Sequence, residues 1–287
     1  MNPPDSYLTE LMEAAEKLPS LPGVVLTVNS MLQDPDTHTQ DLSRMIAKDI
    51  ALVTRILKLV NSAFFGLRSR VGSIPDAVSL LGFDTLHRIT LALSIVDMLK
   101  PSRKNQGEWL WQHSIRTAVF SEYLANKTKI CNGDNAFVAG LLHDMGLIVL
   151  ARCMPGLFLR LEREAKNLDK PFYIMESSVI PGFSHASLGA AMARKWQLPP
   201  ALAEAIFYHH RFPSEKPVSD MTIIVHTANA LDTHSQRMRN EFPDAILHPA
   251  ALTKFRHILK DPDQWFPEIH QRSMEACKLF LGDNHEP

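Results

Sequence analysis

The chain has 287 residues, enough for one large domain or two small ones, and its 45% hydrophobic and 21% charged residues exclude a disordered chain. Thirty Lys and Arg stand against 31 Asp and Glu, a net charge of −1, without the basic excess of a nucleic-acid or polybasic membrane binder. Twelve glycines leave little room for phosphate-cradling loops, while 19 prolines can punctuate many short helices.

Helical periodicity dominates in chain order, and no run of alternating β-branched residues is bounded by hairpin turns. Tyr7–Leu18 carries Leu8, Leu11, Met12 and Ala15 on one stripe and is stopped by LPSLPG (18–23). Val24–Leu32 follows, ended by Asp34-Pro35; Thr39 can cap a helix through Leu42, Met45 and Ile46; Ile50–Leu59 is strongly apolar and is broken by Asn61-Ser62 and Gly66. Ser73-Ile74-Pro75-Asp76 has the form of a helix start, with Ser as N-cap and Pro in the first turn. That helix should end at Gly82, and Phe83–Leu99 should be closed by Pro101. The polar stretch 101–107 (PSRKNQG) is the linker candidate. Beyond it we expect helices at Trp109–Lys127, Ala136–Leu150 (capped by Asp134), Leu157–Leu168, Phe172–Val179, Ala186–Trp196 (capped by Ser184), Pro200–His210, Met221–Asp232, Ala245–Leu259 and Trp265–Leu281. Short connections make neighbours antiparallel. The expected fold is all-α, about fifteen helices. It divides into an N-terminal helical lobe (1–103), a second helical lobe (104–232) and a C-terminal helical extension (233–287).

Cys131, Cys153 and Cys277 are odd in number and far apart, which fits reduced thiols rather than a disulfide framework or a zinc ribbon. The start MNPPDSYLTELMEAAEK has neither a basic region nor an apolar one, so no signal peptide is read and a cytoplasmic protein is expected. The longest apolar stretch, Ala136–Met154, holds His143, Asp144 and Arg152. A membrane span rarely tolerates an adjacent His-Asp at its centre, so a buried core helix is expected.

The 13 histidines are the compositional outlier. A His-Asp dipeptide alone carries little weight, since about 0.8 would occur in a shuffled chain of this composition. Its setting carries more. Burying His143 and Asp144 inside AFVAGLLHDMGLIVL is costly unless the two are paired or metal-bound. Imidazole with carboxylate suits divalent Fe, Mn, Zn or Ni. Other ligands would come from other helices, with His113, His185, His209 and His210 the obvious supply; structural histidines are the competing explanation. Arg116 and Arg211 could meet phosphate or could be surface arginines. Arg68-Ser-Arg70 and Arg103-Lys104 are weak basic spots, insufficient for a DNA reader at this net charge.

The residues LPSLP (18–22), Ile50-Ala-Leu, NSAFFG (61–66), AVSLLGFDTLHRITL (77–91), W-x-H-S (111–114), GLLHDMG (140–146), HASLGA (185–190), Trp196-x-Leu-Pro and YHH (208–210) resemble, in order and spacing, the HDOD family, relatives of HD and HD-GYP metal-dependent phosphohydrolases. The resemblance spans about residues 15 to 230. It implies a multi-helical HD-superfamily bundle with a metal site for one or two divalent ions at His113, His143, Asp144, His185, His209 and His210. Three departures from the HD-GYP-like enzymes stand out: Leu147 replaces the lysine usual after HD-x-G, Asn229 replaces the closing aspartate with Asp232 one turn on, and no G-Y-P follows His210. An asparagine carbonyl can coordinate but does not neutralise a cation. The resemblance therefore implies a regulatory signal-transduction protein with little or no turnover and no assigned catalytic residue. The alternative it implies is a phosphodiesterase acting on a nucleotide or cyclic dinucleotide. The expected partners are a signalling protein and a phosphate-containing small molecule, with neither nucleic acid nor membrane.

Overall fold

A computed structural model describes Gly23, Thr27, Ser30, Met31, residues 38–62, 67, 69–99, 108–214, 217–234 and 247–281. The expected helix Tyr7–Leu18, most of Val24–Leu32, the breaker Gly66, the linker 101–107 with the lobe boundary inside it, and the basic residues Arg68, Arg103 and Lys104 lie outside the described residues. Every regular element among the described residues is a helix.

The first group is α1 (Thr39–Ile46), α2 (Ile50–Val60), α3 (Ile74–Leu81) and α4 (Phe83–Leu99). Thr39 is not the cap of α1. His38 takes that place with extended backbone, and its N–H donates to Asp41 Oδ2 at 3.2 Å. Asp49 caps α2 by accepting the Leu52 N–H. Ser73 caps α3 as its sequence predicts, accepting from the Asp76 N–H with Pro75 in the first turn. Asn61 both donates to the Val71 carbonyl at 2.8 Å and accepts the Val71 N–H at 2.7 Å, which closes the connection between α2 and α3.

The second group is α5 (Glu108–Thr128), α6 (Gly133–Leu142), α7 (Met145–Cys153), α8 (Pro155–Asn167), α9 (Phe172–Val179), α10 (His185–Lys195), α11 (Pro200–Tyr208) and α12 (Asp220–His234). It is followed by α13 (Pro249–Leu259) and α14 (Pro262–Leu281). The long α5 is the spine: α6, α12 and α14 pack along it, and α10 packs between α7 and α11. The first group joins through α4 against α6. Leu42, Ile56, Leu86, Ile95, Trp111, Phe120, Ala139, Ile206 and Phe255 belong to one continuous buried core spanning both groups and the C-terminal helices. Each fully buried Leu, Ile or Phe contributes about 1.5–3 kcal/mol.

Two further expectations are corrected. Asn132, not Asp134, caps α6, accepting the Asn135 N–H. The apolar run 136–150 is not one helix: it breaks at His143-Asp144, where α6 ends and Asp144 begins α7 with φ −98° and ψ 16°. Apolar residues on every face hide such a break from periodicity. Gly133–Cys153 as a whole is long and apolar enough to cross a membrane, but 83% of its most apolar window is buried inside the protein.

Candidate metal centre

The break at His143-Asp144 lets two consecutive side chains turn to one point, which a continuous helix with about 100° between neighbours would oppose. Two close helix crossings bring the other groups to that point. A Cβ on Gly146 would overlap the His185 carbonyl and lie 2.6 Å from the Gly189 nitrogen. Only glycine allows α7 to cross the start of α10 so closely. Similarly, a Cβ on Gly140 would lie 2.8 Å from the Ala118 Cα of α5.

The structure brings all six sequence-predicted residues together around Asp144. Its Oδ2 lies 3.4 Å from His143 Nε2 and 3.6 Å from His113 Nε2; its Oδ1 lies 3.1 Å from His185 Nε2 and 3.3 Å from His209 Nε2. His210 Nε2 and His209 Nε2 each stand 3.2 Å from His185 Nε2. Ligand-type atoms therefore fall into two groups that could each hold a metal ion, His113–His143–Asp144 and Asp144–His185–His209–His210, sharing one carboxylate.

The far side of four of the five rings shows why the near side is available. His143 Nδ1 donates to the Gly140 carbonyl at 2.7 Å, and His209 Nδ1 to the Ile206 carbonyl at 2.7 Å. His113 Nδ1 donates to Asp232 Oδ2 at 2.6 Å, and His185 Nδ1 lies 2.8 Å from both Glu176 oxygens. With Nδ1 protonated and engaged, the Nε2 lone pair of a neutral imidazole points into the cluster, the tautomer a metal ligand needs. His143 Nε2 is fully buried and has no hydrogen-bond partner among the described residues, and several imidazole nitrogens facing one another cannot all be donors. That donor set fits a divalent cation.

The electrostatics agree. Burial would raise the Asp144 carboxyl, but His143, His185 and His209 around it hold it well below the usual carboxylate range. Burial, reinforced by the neighbouring His209 and His113, pushes His143 down to about 3. Burial also works against charge on His185, yet Glu176 and Asp144 outweigh it and lift the group to about 10. The cluster is anionic enough to attract a proton or a cation and contains neutral imidazoles to receive one.

Sequence reasoning passed over Glu176 entirely and assigned no role to Asp232. Glu176, fully buried on α9, also accepts the His185 N–H at 3.0 Å. Its one visible sign was a lone acid in the helix FYIMESSV. Asp232 is gripped by Arg116 through both oxygens, at 2.7 and 3.1 Å, so Arg116 is neither a free phosphate ligand nor a surface arginine. Tyr173, also on α9, stacks on the His210 ring with centroids 4.2 Å apart, and the exposed Arg211 guanidinium lies 5.8 Å from the Tyr173 ring. Asn229 is buried and accepts the Thr233 hydroxyl at 3.3 Å; Leu147 is a core residue. His226, which the sequence did not single out, donates to the His209 carbonyl at 2.8 Å and accepts the His248 N–H at the start of α13.

Comparison with known proteins places the chain among relatives. The profile of the HDOD domain matches residues 18–212. An uncharacterized protein of Treponema pallidum is 31% identical over 208 residues, which is 71% of this chain and 39% of that protein. Ribonuclease Y of Geobacter sulfurreducens is 30% identical over 155 residues, 54% of this chain and 24% of the enzyme. The chain thus spans about two fifths or less of these curated relatives. Among solved structures, an HDOD domain protein of unknown function from Geobacter sulfurreducens matches with a TM-score of 0.74 at 26% identity, over 96% of this chain and 99% of that one.

Proposed function

Because this chain belongs to the HDOD domain family, we propose that it is a metal-binding regulatory module of signal transduction with little or no hydrolytic turnover. The observation that carries the metal-binding part is the convergence of oriented imidazole Nε2 atoms on the Asp144 carboxylate. His113, His143 and Asp144 would hold one ion and Asp144, His185, His209 and His210 a second, with Fe, Mn, Zn or Ni suited to the donors. Such an ion supplies Lewis acidity toward a bound water or a phosphoryl oxygen.

Weak turnover follows from what surrounds the donors. Asp144 is the one carboxylate in either ligand group among the described residues. Asn229 brings no negative charge, Leu147 is buried and apolar, and Asp232 is already committed to His113 and Arg116. In this reading the N-terminal lobe, residues 1–103, meets a signalling protein, the lobe 104–232 holds the ions, and a phosphate-containing small molecule is sensed rather than consumed. Neither nucleic acid nor a membrane is a partner, and the protein works in the cytoplasm.

One observation favours a second reading. Tyr173 and Arg211 sit beside His210 as an aromatic face and a cation, groups that could receive a phosphodiester, and Ribonuclease Y is among the relatives. The deciding experiment measures metal content of protein purified without chelator. Turnover of a cyclic dinucleotide, a generic phosphodiester and a short RNA is then assayed after loading with Mn, Fe, Zn or Ni. We expect bound transition metal, a raised Tm and negligible turnover. Fast hydrolysis that disappears in His143→Ala would establish the phosphodiesterase instead, and absence of metal uptake would overturn both readings.

A further inference from the structure

Two buried carboxylates stand behind different rings of the cluster. Glu176 reaches His185 from α9 with both oxygens 2.8 Å from Nδ1 and a third contact, at 3.0 Å, to the His185 N–H. Three residues earlier on the same helix, Tyr173 stacks on His210 at an interplanar angle of 19°. The short helix α9 therefore grips two residues of one ligand group. Behind His113, Asp232 of α12 holds Nδ1 at 2.6 Å and is itself held by Arg116, one turn after His113 on α5.

We propose that Glu176 and Asp232 are separate positioning residues, Glu176 for the ion held by Asp144, His185, His209 and His210, and Asp232 for the ion held by His113, His143 and Asp144. The inference rests on the metal-binding reading above and adds to it which residues set the affinity at each position. A carboxylate on the remote nitrogen of a ligating imidazole fixes the ring and raises its basicity, and its loss costs about 10–100-fold in metal affinity. The two braces are unequal. Arg116 draws on the charge of Asp232, while Glu176 places both oxygens on His185. Glu176 therefore polarises its imidazole more strongly, and the position it backs is the tighter one and fills first.

The placement decides the test, because each carboxylate faces one ligand group. Chelator-stripped protein is titrated with Zn2+ in competition with a chromophoric chelator, and bound zinc is counted by mass spectrometry of the metal. Wild type should take two ions with distinct affinities. Glu176→Gln should weaken the tighter one 10–100-fold and leave the other within about threefold; Asp232→Asn should do the reverse. His143→Ala serves as a marker, since it removes the weaker position. In that background Glu176→Gln should weaken the remaining ion and Asp232→Asn should not.

Glu176→Asp keeps the charge with a shorter reach, so it should bind zinc better than Glu176→Gln, a rescue that a merely structural role would not produce. It also carries the test if Glu176→Gln does not fold. Zinc binding by wild type with identical losses at both positions in either variant, or with no loss in either, overturns this inference and leaves the metal-binding reading standing. Failure of wild type to bind zinc, iron, manganese or nickel overturns the reading itself.

Discussion

Position 147 and position 229 both depart from the pattern of the HD-GYP-like enzymes, yet they differ in physical setting. Asn229 lies on α12 one turn before Asp232, with a polar neighbour in Thr233. Asn229→Asp adds negative charge one turn from Asp232, the residue that holds His113, without changing volume. We expect it to raise zinc affinity roughly tenfold, measured by the same chelator competition; an unchanged affinity would show that this side chain plays no part in the cluster. Leu147, only 3% exposed, is packed inside α7. Leu147→Lys must bury an ammonium, at a cost of about 3 kcal/mol or more, read as a lowered urea midpoint in metal-free protein. The six cluster residues were legible in the sequence because each lies in a short motif whose order carries the resemblance. Glu176 was not legible. It stands nine residues before His185 on a different helix, and only the turn between α9 and α10 folds it back onto the ring.

At the scale of elements, most helices followed from apolar spacing and from caps such as Ser73 and Ser184, each of which accepts the backbone N–H three residues on. The division between α6 and α7 did not, because a segment apolar all round has no face whose interruption would mark a break. Its purpose shows only in three dimensions, where Gly140 and Gly146 flank the break and each permits a close crossing. Gly146→Ala tests this. The added methyl must displace the backbone of His185, and overpacking of this kind costs about 1–3 kcal/mol. We expect a fall in Tm together with loss of the ion backed by Glu176. A Gly146→Ala protein with wild-type Tm and wild-type zinc binding would refute the account of this crossing.

Across the whole molecule, α14 returns to the spine and pairs Arg272 with Glu122 of α5 at 3.0 Å. Burial is the largest influence on Glu122. With nearby Asp134 it outweighs Arg272 and pushes the carboxyl up to about 7. An acid whose folded pKa exceeds its ordinary 4.5 binds its proton more tightly when folded. Its contribution to stability is full at low pH and is lost as the pH rises from about 4.5 through about 7. Glu122→Gln mimics the protonated form. It should therefore come close to wild type near pH 4 and exceed it at pH 8, by at most about 3 kcal/mol. Thermal melts at the two pH values check this; equal differences at both would contradict it. The return of the C-terminal helices was unreadable from local pattern. It depends on Trp265 and Phe266 meeting Phe120 and Tyr123 across a long separation in sequence, and on the contact from His248 through His226 to the His209 carbonyl.

The single carboxylate shared by both ligand groups has a consequence for charge balance. Two divalent ions would bring four positive charges, and Arg116 adds one beside them. Asp144, Glu176 and Asp232 return only three negative charges. A largely buried centre with that surplus is strongly unfavourable until anions neutralise it. Full loading should thus be synergistic with a small oxyanion: zinc should bind more tightly in phosphate than in a non-coordinating buffer of equal ionic strength, after correction for zinc–phosphate complexation. On the metal-binding reading the loaded cluster would act as a receptor for an anion, and the concentration of that anion would govern how much metal the protein carries.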